Sequence, residues 1–121
     1  MSTVNKFAMG LRGQKESENF LRKSGYKILE QNYRSRTGEI DIIAQRGTYI
    51  MFIEVKSRTN FNFGLPRESV SGAKQKKIIS TAMHYIAANN LENQDFRFDV
   101  IEVFNQGGHT YINHIENAFG L

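Results

Sequence analysis

The chain has 121 residues, a formal net charge of +4, 40% hydrophobic residues, no cysteine and a single proline, Pro66. That length and apolar content support one domain, 1–121, with a core of its own, and argue against a disordered tail. The lack of cysteine excludes a disulfide framework and a thiolate metal site. The segment Met1 to Lys6 lacks the apolar core of a signal peptide, and no stretch reaches the length of a membrane span. A cytoplasmic protein with no membrane partner is the expectation. The modest positive charge favours a polyanionic partner, through counterion release, and serves as a first filter for nucleic-acid binding.

In chain order, the spacing predicts a first helix from about Leu11 to Ser24, with a small and apolar stripe at Gly13, Ser17, Phe20 and Leu21. Gly25 is placed to end it. A strand follows at Tyr26 to Tyr33, then a basic turn, Arg34 to Gly38. The segments Gly38 to Ala44 and Phe52 to Lys56 read as two strands of a hairpin, because apolar and polar residues alternate and β-branched types dominate. A long loop, Ser57 to Arg67, carries Phe61, Phe63, Gly64, Leu65 and Pro66. A second helix spans about Val70 to Asn89, with Ala73, Ile78, Ile79, Ala82, Met83 and Ile86 near helical spacing. Two further strands, Phe96 to Phe104 and Thr110 to Ile115, complete an α/β layered domain around a mixed five-stranded sheet flanked by helices.

Within the hairpin, Asp41 and Glu54 stand thirteen positions apart. Glu54 and Lys56 share one face of their strand, with Ile53 and Val55 on the other. A two-residue turn at Gly47-Thr48 pairs position 41 directly with 54. A turn at Arg46-Gly47 makes them diagonal neighbours, about 7–8 Å apart on the same face. A three-residue loop sends the two carboxylates to opposite faces. A shared site therefore requires an even-length turn, or a bulge that restores the parity.

Two carboxylates and an ammonium in this pattern are the parts of a divalent-metal site for phosphodiester hydrolysis. Mg²⁺ or Mn²⁺, as one or two ions, takes hard oxygen ligands and keeps several waters, so Asp41, Glu54 and the Val55 carbonyl would suffice once a phosphate completes the shell. The ion would acidify a water and stabilise charge on the phosphorus oxygens, with Lys56 beside it. The bland alternative is an exposed sheet face on which Glu54 and Lys56 are solvated neighbours of Glu39 and Asp41. Glu39, Asp41 and Glu54 crowded on one face would repel in the absence of a cation, which favours the site.

Gly25-Tyr26 with Ile28-Leu29, Asn32-Tyr33-Arg34, Gly38 to Ala44, Phe52 to Arg58, Phe63-Gly64, Lys74, Arg97 to Val100 and Ile115 to Phe119 together resemble the YraN family of uncharacterised bacterial proteins. The match runs in order over about residues 10 to 119. That family resembles the restriction-endonuclease-like nucleases, including archaeal Holliday-junction resolvases, whose metal site is an Asp and a Glu-x-Lys. By position these are Asp41, Glu54 and Lys56. The resemblance implies a restriction-endonuclease-like fold and Mg²⁺-dependent cleavage of DNA, with branched or structured DNA among the substrates.

One position departs from the family, which usually has a Gly-Glu pair in the first helix. Here Gly13 is followed by Gln14, and an amide cannot act as a base or balance a second cation. Glu18, at i+4, could compensate if the helix is rotated; the simpler reading is a solvated helix residue. Gln14, Glu18 and Glu39 are thus accessory candidates. Arg34, Arg58 and Lys74 fall in the resembling motifs and are the candidate phosphate contacts, whereas Lys76 and Lys77 read as a solvated helix end. Phe61 and Phe63 could stack on bases, but anchoring their loop is the simpler role. His84, His109 and His114 share no ligand spacing. Asp99 can pair with Arg97 on its own strand face, a structural role.

The sequence therefore supports a metal-dependent nuclease acting on DNA. The alternatives are a non-catalytic nucleic-acid-binding module of the same fold, which Gln14 favours, and an adaptor that docks a partner through the apolar loop. A homodimer is compatible with the sequence, but nothing in it indicates one.

Overall fold

The structure, a computed structural model, describes residues 6–58 and 70–120. Along the chain run α1 (Lys6–Lys23), β1 (Lys27–Ser35), β2 (Gly38–Arg46), β3 (Tyr49–Arg58), α2 (Gly72–Ala88), β4 (Asp95–Gln106) and β5 (His109–Phe119). The five strands form one sheet in sequence order, antiparallel throughout except where β3 and β4 run parallel. A parallel pair needs a crossover, and α2 lies within it. This is the α/β mixed five-stranded sheet with helices expected from the sequence, and its layout is compatible with a restriction-endonuclease-like fold. Phe61, Phe63, Leu65 and Pro66 lie outside the described residues, and the strand before them reaches Arg58, two residues into the segment expected to be loop.

Each helix covers one face. Leu21 of α1 packs with Tyr26, Ile42, Ala44, Met51, Ile53, Ile101 and Val103. Ile78, Ala82, Tyr85 and Ile86 of α2 pack with Ile43, Ile50, Phe52, Phe98 and Val100 on the other face. Burying this apolar area is the main term favouring the fold.

Local chemistry sets the boundaries. Gly25 takes φ +88 after α1, while Tyr26 N–H reaches the Leu21 carbonyl and Gly25 N–H the Arg22 carbonyl. These are the paired bonds of a Schellman end, which needs a left-handed residue. The N-terminus of α2 is capped by Ser71, whose Oγ accepts the Lys74 N–H at 3.2 Å.

The β2–β3 hairpin turns at Gly47-Thr48. Arg46 pairs with Tyr49, and the ladder continues as far as Ile42 with Ile53. The next pair in that register is Asp41 with Glu54, so the two-residue turn supplies the required parity. Strict alternation nevertheless fails in β2. Ile40 and Ile43 both join the α2 side of the core, three positions apart. The slip falls at Asp41, opposite Asn32, which has φ 52 and interrupts the β1–β2 pairing between Gln31–Ile42 and Tyr33–Ile40. The register is nevertheless the same on either side of Asn32, and the β1–β2 register shift falls further back, between Ile28 and Glu30.

Candidate functional site

Where the β2–β3 ladder stops, a side chain replaces a backbone partner. Asp41 Oδ2 accepts the Val55 N–H at 2.8 Å. Glu54 follows Phe52 on the α2 side of β3 and is 5% exposed. Its Oε1 accepts Lys74 Nζ at 2.7 Å. The Glu54 carboxyl is close enough to act directly on the Asp41 carboxyl. Lys56 adjoins Lys74 and acts electrostatically on both carboxyls. The hairpin and the first turn of α2 thus bring two carboxyls and two ammoniums together at the seam between β2 and β3.

Their charges are mutually perturbed. Burial, and then the Glu54 carboxylate, push the Asp41 carboxyl up to about 7, against the opposing pull of Val55 N–H and the Lys74 ammonium. Burial, and then Lys74, lower Lys56 from its ordinary value. Burial also opposes the Lys74 charge, but the hydrogen bond and charge of Glu54 outweigh it, and Lys74 is raised.

This donor set fits a hard divalent cation. Two converging carboxyls, one forced towards its neutral form by burial and then by the other, are relieved by a cation between them. Among the described residues no group of three or more His, Asp or Glu converges in this way. Water and a substrate phosphate would therefore have to fill the rest of the shell, as Mg²⁺ commonly permits.

The accessory candidates divide. Gln14 Nε2 donates to the Asp41 carbonyl at 3.2 Å and to Glu18 Oε2 at 3.3 Å. Glu18 is not the solvated residue expected from its position in the helix. It is 8% exposed, and its Oε1 accepts Gln31 Nε2 at 2.8 Å. Two amides satisfy this buried carboxylate, and α1 is thereby stitched to the backbone of the site. Gln14 and Gln31 are the sequence features from which its burial could have been read, once α1 is laid across β1 and β2. Glu39 pairs instead with Arg34 at 3.5 Å on the exposed β1–β2 hairpin.

Of the candidate phosphate contacts, Lys74 alone touches the acidic pair. Arg58 Nε binds Glu102 Oε2 at 3.3 Å, and Glu102 is fully buried. Lys76 and Lys77 are exposed, as expected.

A second polar cluster lies on β4 and β5. Asp99, fully buried, accepts both contacts of Arg97 Nε (3.0 and 3.2 Å), His114 Nε2 (2.8 Å) and Asn117 N–H (2.9 Å). Burial alone would raise Asp99; the hydrogen bonds from His114, Arg97 and Asn117 outweigh it and hold the carboxyl below its ordinary range. The Arg97–Asp99 pairing is the one the sequence suggested, with His114 added to it. No helix among the described residues is long and apolar enough to cross a membrane.

The chain is similar over nearly its whole length to several curated proteins. It is 53% identical over 116 residues to a UPF0102 protein of Clostridioides difficile (strain 630), covering 96% of this chain and 100% of that one. It is 48% identical over 122 residues to one from Caldanaerobacter subterraneus subsp. tengcongensis, covering 98% and 100%. Another, from Persephonella marina, is 43% identical over 112 residues, covering 93% of each. The model of the uncharacterised protein family UPF0102 matches residues 13–103, which include Asp41, Glu54, Lys56 and Lys74. The chain therefore belongs to the uncharacterised protein family UPF0102, the YraN family that its motifs resemble.

Proposed function

We propose that this protein is a metal-dependent nuclease that hydrolyses phosphodiester bonds in DNA. The observation that carries the reading is the convergence of Asp41 and Glu54 at the point where β2 and β3 part, with Lys56 beside them. Asp41, Glu54 and the Val55 carbonyl would hold Mg²⁺ or Mn²⁺. Bound there, the ion supplies an acidified water and charge stabilisation at phosphorus. Val55 N–H fixes the Asp41 carboxylate in orientation. Lys56, with its lowered affinity for a proton, is suited to hold or release one beside the attacking water and to offset charge on the phosphate.

Gln14 supports a second reading, a nucleic-acid-binding module without cleavage. Its amide already bridges Asp41 and Glu18, so it contributes no negative charge for a second ion. Cleavage assays on linear, flapped and branched DNA with Mg²⁺ or Mn²⁺ separate the two. Under the nuclease reading, Asp41→Asn and Glu54→Gln abolish cleavage and Lys56→Ala loses most of the rate, while all three still bind DNA. A wild-type chain that binds DNA but cleaves none of the panel is the binding module.

A further inference from the structure

The ion pair between α2 and β3 has two unequal partners. The Glu54 side chain is 6% exposed, and that of Lys74 is 43% exposed, so only the lysine has a route into solvent. Lys74 is also the third residue of a helix whose first turn holds no acidic residue. A cation there opposes the helix dipole, which favours negative charge at that end. Helix stability therefore does not account for this lysine; Glu54 does. The Lys74 backbone is pinned by the Ser71 cap, while the four-carbon stem beyond it is free to rotate.

We propose that Lys74 is a built-in competitor for the divalent ion. Its ammonium holds Glu54 when no ion is present, leaves when the ion arrives, and is then released towards the phosphate of the substrate. The inference rests on the metal-site reading above. At 2.7 Å from Oε1 the ammonium takes up a carboxylate oxygen that a cation between Asp41 and Glu54 would use. With both carboxyls ionised, two ammoniums cancel their charge, so an ion added without any rearrangement leaves the cluster strongly positive. Swinging Lys74 outward relieves that repulsion and presents the lysine to an incoming anion. Ion and phosphate binding are then linked, each favouring the other.

The test is titration of the full chain with Mn²⁺, read by the electron spin resonance of free Mn²⁺, for wild type, Lys74→Met and Lys74→Arg. Methionine keeps the stem and removes the competing charge, so Mn²⁺ should bind about tenfold more tightly; arginine should stay close to wild type. A merely structural lysine would give equal or weaker binding in Lys74→Met, which overturns the proposal and leaves the metal site standing. If Mn²⁺ binds neither wild type nor Lys74→Met, both readings fall. A second measurement needs no variant. Mg²⁺ should speed acylation of the Lys74 amine in wild type, followed by peptide mass spectrometry, because the amine leaves its carboxylate partner. Unchanged labelling at Mg²⁺ concentrations that bind the protein overturns the proposal.

Discussion

Asp41 Oδ2 takes the Val55 N–H just beyond the Ile42–Ile53 pair at which the β2–β3 ladder ends, so a side chain of β2 accepts a donor of β3 that the ladder no longer reaches. The carboxylate is thereby held against its acidic neighbour, and its protonation becomes a matter of stability as well as of chemistry.

The first prediction concerns pH. With a folded pKa of about 7 against an ordinary 3.8, the ion-free folded state retains a proton on Asp41 that the unfolded chain loses. Stability from this group is therefore full below about pH 4, falls as pH rises towards 7, and is level above that. Asp41→Asn keeps an oxygen for Val55 N–H and removes the charge. It should be more stable than wild type at pH 8, by on the order of 1–2 kcal/mol, and no more stable at pH 4. Denaturant unfolding at both pH values without divalent ions measures the difference. An equal gap at both pH values would refute the assignment.

Gln14→Glu should behave in the opposite sense. A carboxylate at 14 would lose both donations and face the Asp41 carbonyl and the Glu18 carboxylate, at a cost of about 1–3 kcal/mol. Mg²⁺ should then raise the melting temperature of Gln14→Glu more than that of wild type, since a cation answers the added charge. A variant as stable as wild type in chelator would show that the amide bridge contributes little.

Binding to duplex DNA should weaken steeply with salt, each neutralised phosphate adding about 0.9 to the logarithmic slope. With Mg²⁺ present to free Lys74 from Glu54, Lys74→Ala should lower that slope by about one contact. Arg34→Ala should change it less, because Arg34 is paired with Glu39 on the exposed β1–β2 hairpin. Affinity independent of salt would point to an uncharged partner.

Away from the site, Asp99→Asn should destabilise the protein by about 2–4 kcal/mol at neutral pH, since Arg97 loses its buried counter-charge and the hydrogen bonds of His114 and Asn117 lose a charged partner. The folded pKa of Asp99 is depressed, so its contribution is present above the unfolded value and is lost as pH falls through the folded one. Thermal melts should show the gap closing below about pH 4. A gap that does not shrink at all as pH falls below about 4 would indicate lost packing instead of lost charge.

Much of the fold was legible because its determinants are local. Gly25 announces the end of α1, and Gly47-Thr48 sets a two-residue turn whose even register runs to Ile42 and Ile53, beside Asp41 and Glu54. What escaped was non-local. The change of face at Asp41 falls opposite Asn32, whose φ is 52, and nothing within Gly38 to Ala44 signals it. Glu18 looked solvated because a lone glutamate in a helix usually is; its burial follows from two glutamines, one on α1 and one on β1. His114 had no nearby partner in sequence, and it reaches Asp99 only through the β4–β5 pairing.

The parallel pairing of β3 with β4 carries a consequence for the order of folding. The β2–β3 hairpin closes through a turn of two residues, whereas Lys74 reaches Glu54 only with the crossover that β3 and β4 require. Short loops close sooner than long ones. A hairpin formed first holds two carboxyls side by side with only Lys56 of β3 to offset them. Docking of α2 then brings cover for the sheet and further counter-charge in one step, so the helix that covers this face is also the one that completes the neutralisation of the seam.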